Sequence, residues 1–230
     1  MPLRSVLFAA TAMSLLLGGC TSFANVRSAE PYVGNSVAMQ FSWSAPPGDV
    51  AGWFWSVDCV DRCNHPIVAT DLGVTHAWRL DNGPRAVALG AGISGVNPYV
   101  DGYVQLAGGP RPFGLGGRLG LPAFGWQEYQ VYARYDIPLN RNTRVLLNPG
   151  IFVHDGASPN GANTGSFLGY VQGVGLQFDG EYGAWTPALS VVSGHARHAG
   201  YGLDSGPASS VFVTASLGLT VHGRRVKPDH

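Results

Sequence analysis

From residue 36 onward, apolar and other residues take turns along the chain. Residues 127–139 (QEYQVYARYDIPL) show the pattern most clearly. Tyr129, Val131, Ala133, Tyr135, Ile137 and Leu139 fall on one parity; Glu128, Gln130, Tyr132, Arg134 and Asp136 fall on the other. Successive side chains of a strand point to opposite faces, so this is a ribbon with one apolar and one polar wall. The same period recurs in residues 36–44, 72–80, 87–93, 99–106, 113–121, 144–154, 168–179, 184–191 and 210–222. No helical period stands out after residue 20. The pattern therefore predicts ten strands.

The connections alternate in length. Those at 81–83, 108–110, 140–142 and 180–182 are mostly tight. Those at 45–70, 95–98, 122–125, 155–165 and 194–208 are generally longer. An up-and-down antiparallel sheet gathers each set at one end. The expected fold is all-β: an antiparallel up-and-down barrel of about ten strands (8–12), transmembrane, over residues 35–222. A polar tail follows at 223–230.

Composition bears on which face meets what. Charged residues are 12 % of the 230 and glycines number 33, with zero net charge. A water-facing barrel would dress its outer face in Lys, Glu and Asn. Here the non-apolar parity is mostly Gly, Ala, Ser and Thr with isolated charges, which suits a lumen. The apolar parity carries almost no charge, which suits lipid. Aromatic residues near predicted strand ends (Trp43, Trp78, Phe113, Trp126, Phe178, Trp185) match interfacial girdles. No basic patch exists to neutralise phosphates, so nucleic acid is not an expected partner. Membrane lipids are, with small solutes or a ligand in the lumen. In these traits the chain resembles outer-membrane barrels in general. That resemblance implies a bacterial outer-membrane location with both barrel termini at the periplasmic, tight-turn end.

The first twenty residues carry a second resemblance. The apolar run at 6–17 is too short to span a bilayer and fits a secretory signal. It ends in Leu17-Gly18-Gly19-Cys20, which resembles the lipobox of bacterial lipoproteins. That implies a signal peptide at 1–19, lipid (palmitate) on Cys20, and a lipidated linker over 20–34. The alternative is an ordinary signal cut after Ala24, with Ser22 at the minus-three position. Lipid on Cys20 leaves Cys59 and Cys63, four apart, as a pair suited to a local disulfide in an oxidising compartment. A zinc site adding His65 lacks a visible fourth ligand, so no metal is expected.

Several features could carry chemistry. Arg79, Asp101, Arg118, Glu128, Arg134, Asp136 and Asp179 share the lumenal parity. They read as a salt-bridge network filling the barrel, or alternatively as a narrow polar path for solutes. Gly90-Ala91-Gly92-Ile93-Ser94-Gly95 spells a dinucleotide fingerprint, but strand-like alternation rather than a helix follows it, so no cofactor is expected. Ser193 with His195, and His154 with Asp155 and Ser158, contain the residue types of a hydrolase on predicted glycine-rich loops. Trp53, Phe54 and Trp55 in the first long loop could cover the barrel mouth or bind a partner. The leading reading is an outer-membrane barrel lipoprotein with a structural or interaction role, with or without a narrow pore, and not an enzyme. Two others remain: a soluble periplasmic lipoprotein barrel holding a hydrophobic ligand inside, and an outer-membrane hydrolase.

Overall fold

The computed structural model describes residues 25–44, 67–80, 85–95, 97–121, 126–157, 163–200 and 208–223. Ten strands occur in chain order: β1 (Gly34–Ser44), β2 (Ile67–Leu80), β3 (Arg85–Ser94), β4 (Asn97–Ala107), β5 (Phe113–Gly120), β6 (Trp126–Pro138), β7 (Thr143–Ala157), β8 (Asn163–Asp179), β9 (Gly183–Gly200) and β10 (Ala208–His222). Each pairs antiparallel with its sequence neighbours, and β1 pairs with β10 to close the barrel. Closure leaves no sheet edge unpaired. With ten strands, β1 begins and β10 ends at the same mouth, the one that carries the tight turns.

The predicted parity holds around the wall. Along β4, Tyr99, Asp101, Tyr103 and Gln105 are buried, while Val100, Val104 and Leu106 are exposed. Along β6, Glu128, Gln130, Tyr132, Arg134 and Asp136 point inward, while Tyr129 and Val131 are exposed, Val131 at 67 %. Leu189, Val211 and Val213 are likewise exposed. The large apolar side chains thus form a continuous outer belt. Trp78 and Trp185 stand exposed near the tight turns, where Trp185 stacks on Phe178 with ring centroids 4.5 Å apart; Trp43 lies near the opposite mouth.

The wall is uneven in height. Strands β3 to β5 have 10, 11 and 8 residues, whereas β7 to β10 have 15, 17, 18 and 15. The extra length lies at the mouth opposite the tight turns. It absorbs residues expected to be loop: His195 lies in β9, and Asp155 in β7. The antiparallel ladder continues there, from Ser193 paired with Tyr170 to Asn163 paired with Gly200. Gly90 and Gly92 sit within β3, and Gly95, at φ +59°, makes the turn into β4. The spelled fingerprint is thus a strand and a turn, with no helix N-terminus to receive a phosphate.

Candidate functional site

The lumen holds most of the buried charge, and residues 25–33 run through it. This stretch, counted as linker in the sequence, enters at the tight-turn mouth and climbs toward the opposite one. Val33 is exposed. Just inside, the Tyr32 ring stacks on His222, the last residue of β10, with centroids 3.8 Å apart. Its hydroxyl donates to Asp179 Oδ1 at 2.8 Å, at the end of β8. Deeper, Arg144 reaches Glu30 at 3.0 Å, Asp136 at 3.2 Å and Asp179 at 2.9 Å. Asp136 also accepts the Ser28 hydroxyl at 2.5 Å and the Ala29 amide at 2.8 Å. Deeper still, the Arg27 amide donates to Asn148 Oδ1 at 2.6 Å, and its guanidinium meets Asp71 at 3.1 Å. Val26 packs with Leu146 and Ala188. A side chain at Gly173 or Gly175 would collide with Val26, so those glycines make its seat.

This lumenal strap therefore has two faces. Ala29 is fully buried, and its carbonyl accepts the Tyr103 hydroxyl at 2.7 Å. Burying backbone groups is costly unless they are paired, and here lumen side chains pair them.

A second tier of charge lies on β2 to β6. Asp71 receives Arg118 at 2.6 Å and the Tyr99 hydroxyl at 2.8 Å as well as Arg27. Arg118 lies 3.6 Å from Asp101 and its guanidinium sits 3.8 Å from the centre of the Tyr99 ring. Asp101 accepts the Tyr132 hydroxyl, which also receives Arg134 at 3.0 Å. Arg134 lies over the rings of Tyr103 and Tyr132. The lumenal guanidiniums described are those of Arg27, Arg118, Arg134 and Arg144. The carboxyl groups are those of Glu30, Asp71, Asp101, Glu128, Asp136 and Asp179, so described carboxyl groups outnumber guanidiniums.

On the opposite side, rings and small apolar groups join buried neutral polar side chains such as Gln177, Thr186, Thr214 and Ser216. Phe152 and Phe167 stack with centroids 5.6 Å apart and are almost fully buried. A Cβ at Gly169 would strike both rings, and one at Gly194 would strike Phe167. Beside the strap remains a cavity of about 60 Å³, lined in part by Gln40, Thr75, Asp101, Tyr103, Arg134 and Thr186. It has room for a few waters.

The lumen thus gathers Asp101, Arg118, Glu128, Arg134, Asp136 and Asp179 from the sequence-selected charges. Arg79 is exposed at the tight-turn rim instead, because β2 ends one residue later. Asp71, Tyr99, Tyr103, Arg144 and the whole strap were not singled out. Of the hydrolase residues, Ser193 and His195 share the outward parity of β9, apart from those on β7. His154 is buried in the lumen while Asp155 is exposed on the other face of the same strand. His195 is exposed, with Nδ1 2.9 Å from Ser209 Oγ. Cys20, Cys59, Cys63, His65, Ser158 and the Trp53-Phe54-Trp55 stretch lie outside the described residues.

A closed antiparallel barrel, apolar outside and lined with polar and charged groups inside, is a transmembrane β-barrel. The soluble alternative required the reverse. Tyr129, Val131 and Leu217 would have to point inward, and all three lie on the outward parity. No family model matches the chain, and no curated protein matches it in sequence. Solved structures do resemble it. Neisserial surface protein A (NspA) is 10 % identical with a TM-score of 0.39, over 84 % of this chain and 100 % of that one. Ail, the attachment invasion locus protein of Yersinia pestis, is 13 % identical with a TM-score of 0.34, over 82 % and 99 %. The outer membrane protein OprG from Pseudomonas aeruginosa is 12 % identical with a TM-score of 0.37, over 86 % and 100 %. The architecture stated above rests on this chain's own strand pairing and exposed belt.

Proposed function

We propose that the protein is a bacterial outer-membrane barrel with a structural or interaction role, closed in its resting form by its own N-terminal strap. The observation that carries this reading is the anchoring of Ser28 and Ala29 on Asp136, inside a wall that also binds Arg27, Glu30 and Tyr32. Such a segment occupies the space a solute would need. The tall β7–β10 wall is the part available to partners beyond the bilayer.

A second reading, a narrow polar path opened by release of the strap, is favoured by the polar cavity beside it. Conductance of purified protein in planar bilayers separates the two. The wild type is expected to pass no steady current. Asp136→Ala, which removes the acceptor of Ser28 and Ala29 and one partner of Arg144, is expected to give intermittent conducting events. Steady conductance by the wild type would overturn the closed-barrel reading.

A further inference from the structure

Among the four described lumenal guanidiniums, one differs from the rest. Arg27, Arg118 and Arg144 each hold a carboxylate, at 3.1, 2.6 and 2.9 Å. Arg134 forms no ion pair among the described residues. Its Nη2 donates to the Tyr132 hydroxyl at 3.0 Å, and its buried Nε has no hydrogen-bond partner there. The residue is 6 % exposed. A guanidinium keeps its proton in a protein, so the charge is permanent. A buried charge needs a counter-charge or water beside it.

The wall is shaped to hold this side chain. A Cβ at Gly114 would strike Tyr103, and one at Gly116 would strike Tyr132, so the two glycines of β5 make room for both rings. The rings are nearly parallel, with centroids 6.5 Å apart. Arg134 Cζ lies 4.5 Å from the Tyr103 centroid and 4.6 Å from that of Tyr132. The ring hydroxyls are directed elsewhere: Tyr103 donates to the Ala29 carbonyl and Tyr132 to Asp101. Rings attract a cation but do not neutralise it. The guanidinium is thus fixed in place with its charge uncompensated.

Arg134 lines the cavity beside the strap, together with Thr75 and Thr186. Those two hydroxyls enter no side-chain hydrogen bond among the described residues and are free to donate. Two carboxylates also line the cavity, and both are engaged. Glu30 pairs with Arg144 at 3.0 Å, and Asp101 accepts the Tyr132 hydroxyl with Arg118 3.6 Å away.

We propose that this cavity binds one small monovalent anion of halide type, held by Arg134 and the Thr75 and Thr186 hydroxyls. A cavity of about 60 Å³ accepts a chloride with part of its water shell. Asp101 and Glu30 on the same wall repel a second negative charge, which selects against sulfate and phosphate. The anion gives Arg134 the counter-charge that carboxylates give the other three arginines. The site rests on the strap being lumenal, as the closed-barrel reading does, because Arg27, Ser28 and Glu30 line part of it. Its readout is independent of conductance.

The test titrates sodium chloride into full-length protein in detergent micelles, in gluconate at constant ionic strength, and follows the chloride NMR line width. The wild type should show a saturable broadening that bromide displaces and sulfate does not. Arg134→Gln should weaken binding about tenfold or more, and Thr75→Val about threefold. Arg79→Gln, at the exposed rim, should leave it unchanged. Heat-modifiable gel mobility verifies that each variant is a folded barrel. Crystals of the wild type grown in bromide give a reading that needs no variant: an anomalous peak beside the Arg134 guanidinium. A wild type without saturable broadening would overturn the proposal. So would undiminished binding by folded Arg134→Gln, or bromide located only away from Arg134. A wild type that conducts steadily yet keeps the Arg134-dependent site would sink the closed-barrel reading and leave this one standing. Silent bilayers without saturable broadening would do the reverse.

Discussion

Inward-facing residues on β2 to β6 include Asp71, Tyr99, Asp101, Tyr103, Arg118, Glu128, Tyr132, Arg134 and Asp136. Those on β8 to β10 include Phe167, Val171, Ala184, Ala188, Ser190, Val192 and Phe212, and Asp179 at the rim is their one described carboxylate. The first side fills space with ion pairs and stacked guanidiniums. The second mixes rings and methyl groups with neutral polar side chains such as Gln177, Thr186, Thr214 and Ser216, and packs its rings against glycines. The strap bridges them: Arg27 reaches Asp71 on the charged side, and Val26 seats on Leu146 and Ala188 on the other. The lesson is that charge and small apolar residues fail differently. A buried ion cannot lose its partner cheaply, whereas a glycine-lined wall cannot gain an atom cheaply.

Three substitutions press on that contrast. The largest effect is expected from Arg118→Leu. It strips Asp71 and Asp101 of a guanidinium whose side chain is 1 % exposed, and breaking a buried pair in this way costs about 3–5 kcal/mol. Urea unfolding in lipid vesicles, followed by tryptophan fluorescence, should show the loss; an unchanged midpoint would mean the charged side is wet. Next comes Gly169→Ala on the apolar side. The new methyl strikes Phe152 and Phe167, and overpacking of this kind costs about 1–3 kcal/mol. The same unfolding assay, paired with Phe152→Leu in the Gly169→Ala background, should recover part of the loss. If the single variant is neutral, the rings are not locked. The smallest is Tyr32→Phe, which keeps the stack on His222 but loses the hydroxyl between Asp179 and Gln177. It should cost about 0.5–1.5 kcal/mol, read as slightly faster proteolysis near the tight-turn mouth.

The strands and their facing were legible because period two is a strong signal wherever one wall is apolar and the other is not. The charged side of the lumen was legible for the same reason: an arginine between leucines, as in Leu-Gly-Gly-Arg118-Leu, has only the inside to go to. The apolar side was harder to read. Ile151-Phe152-Val153 and Val211-Phe212-Val213 are apolar on both parities, so alternation weakens where an inward residue is apolar. Strand ends were misplaced in Ser193–Gly200 because glycines and histidines there read as loop, while the ladder with β8 simply continues. The strap was hidden for a different reason. Asn25–Val33 has no period and a proline, as a linker does; its partners are far away in sequence, from Asp71 to His222. The one local sign was the presence of Arg27, Glu30 and Tyr32, each needing a partner that a free linker does not supply.

Tyr32 stacks on the terminal residue of β10, and that strand is also the one that meets β1 to close the barrel. The ring partner therefore exists only after the whole chain has been delivered and its last strand has found the first. The stack acts as a clasp fastened from both ends of the polypeptide. A truncated barrel, lacking β10, could not fasten it, and the strap's Tyr32 end would lie open to proteases at the mouth. Completion of synthesis is in this way coupled to sealing of the lumen, without any dedicated sensor.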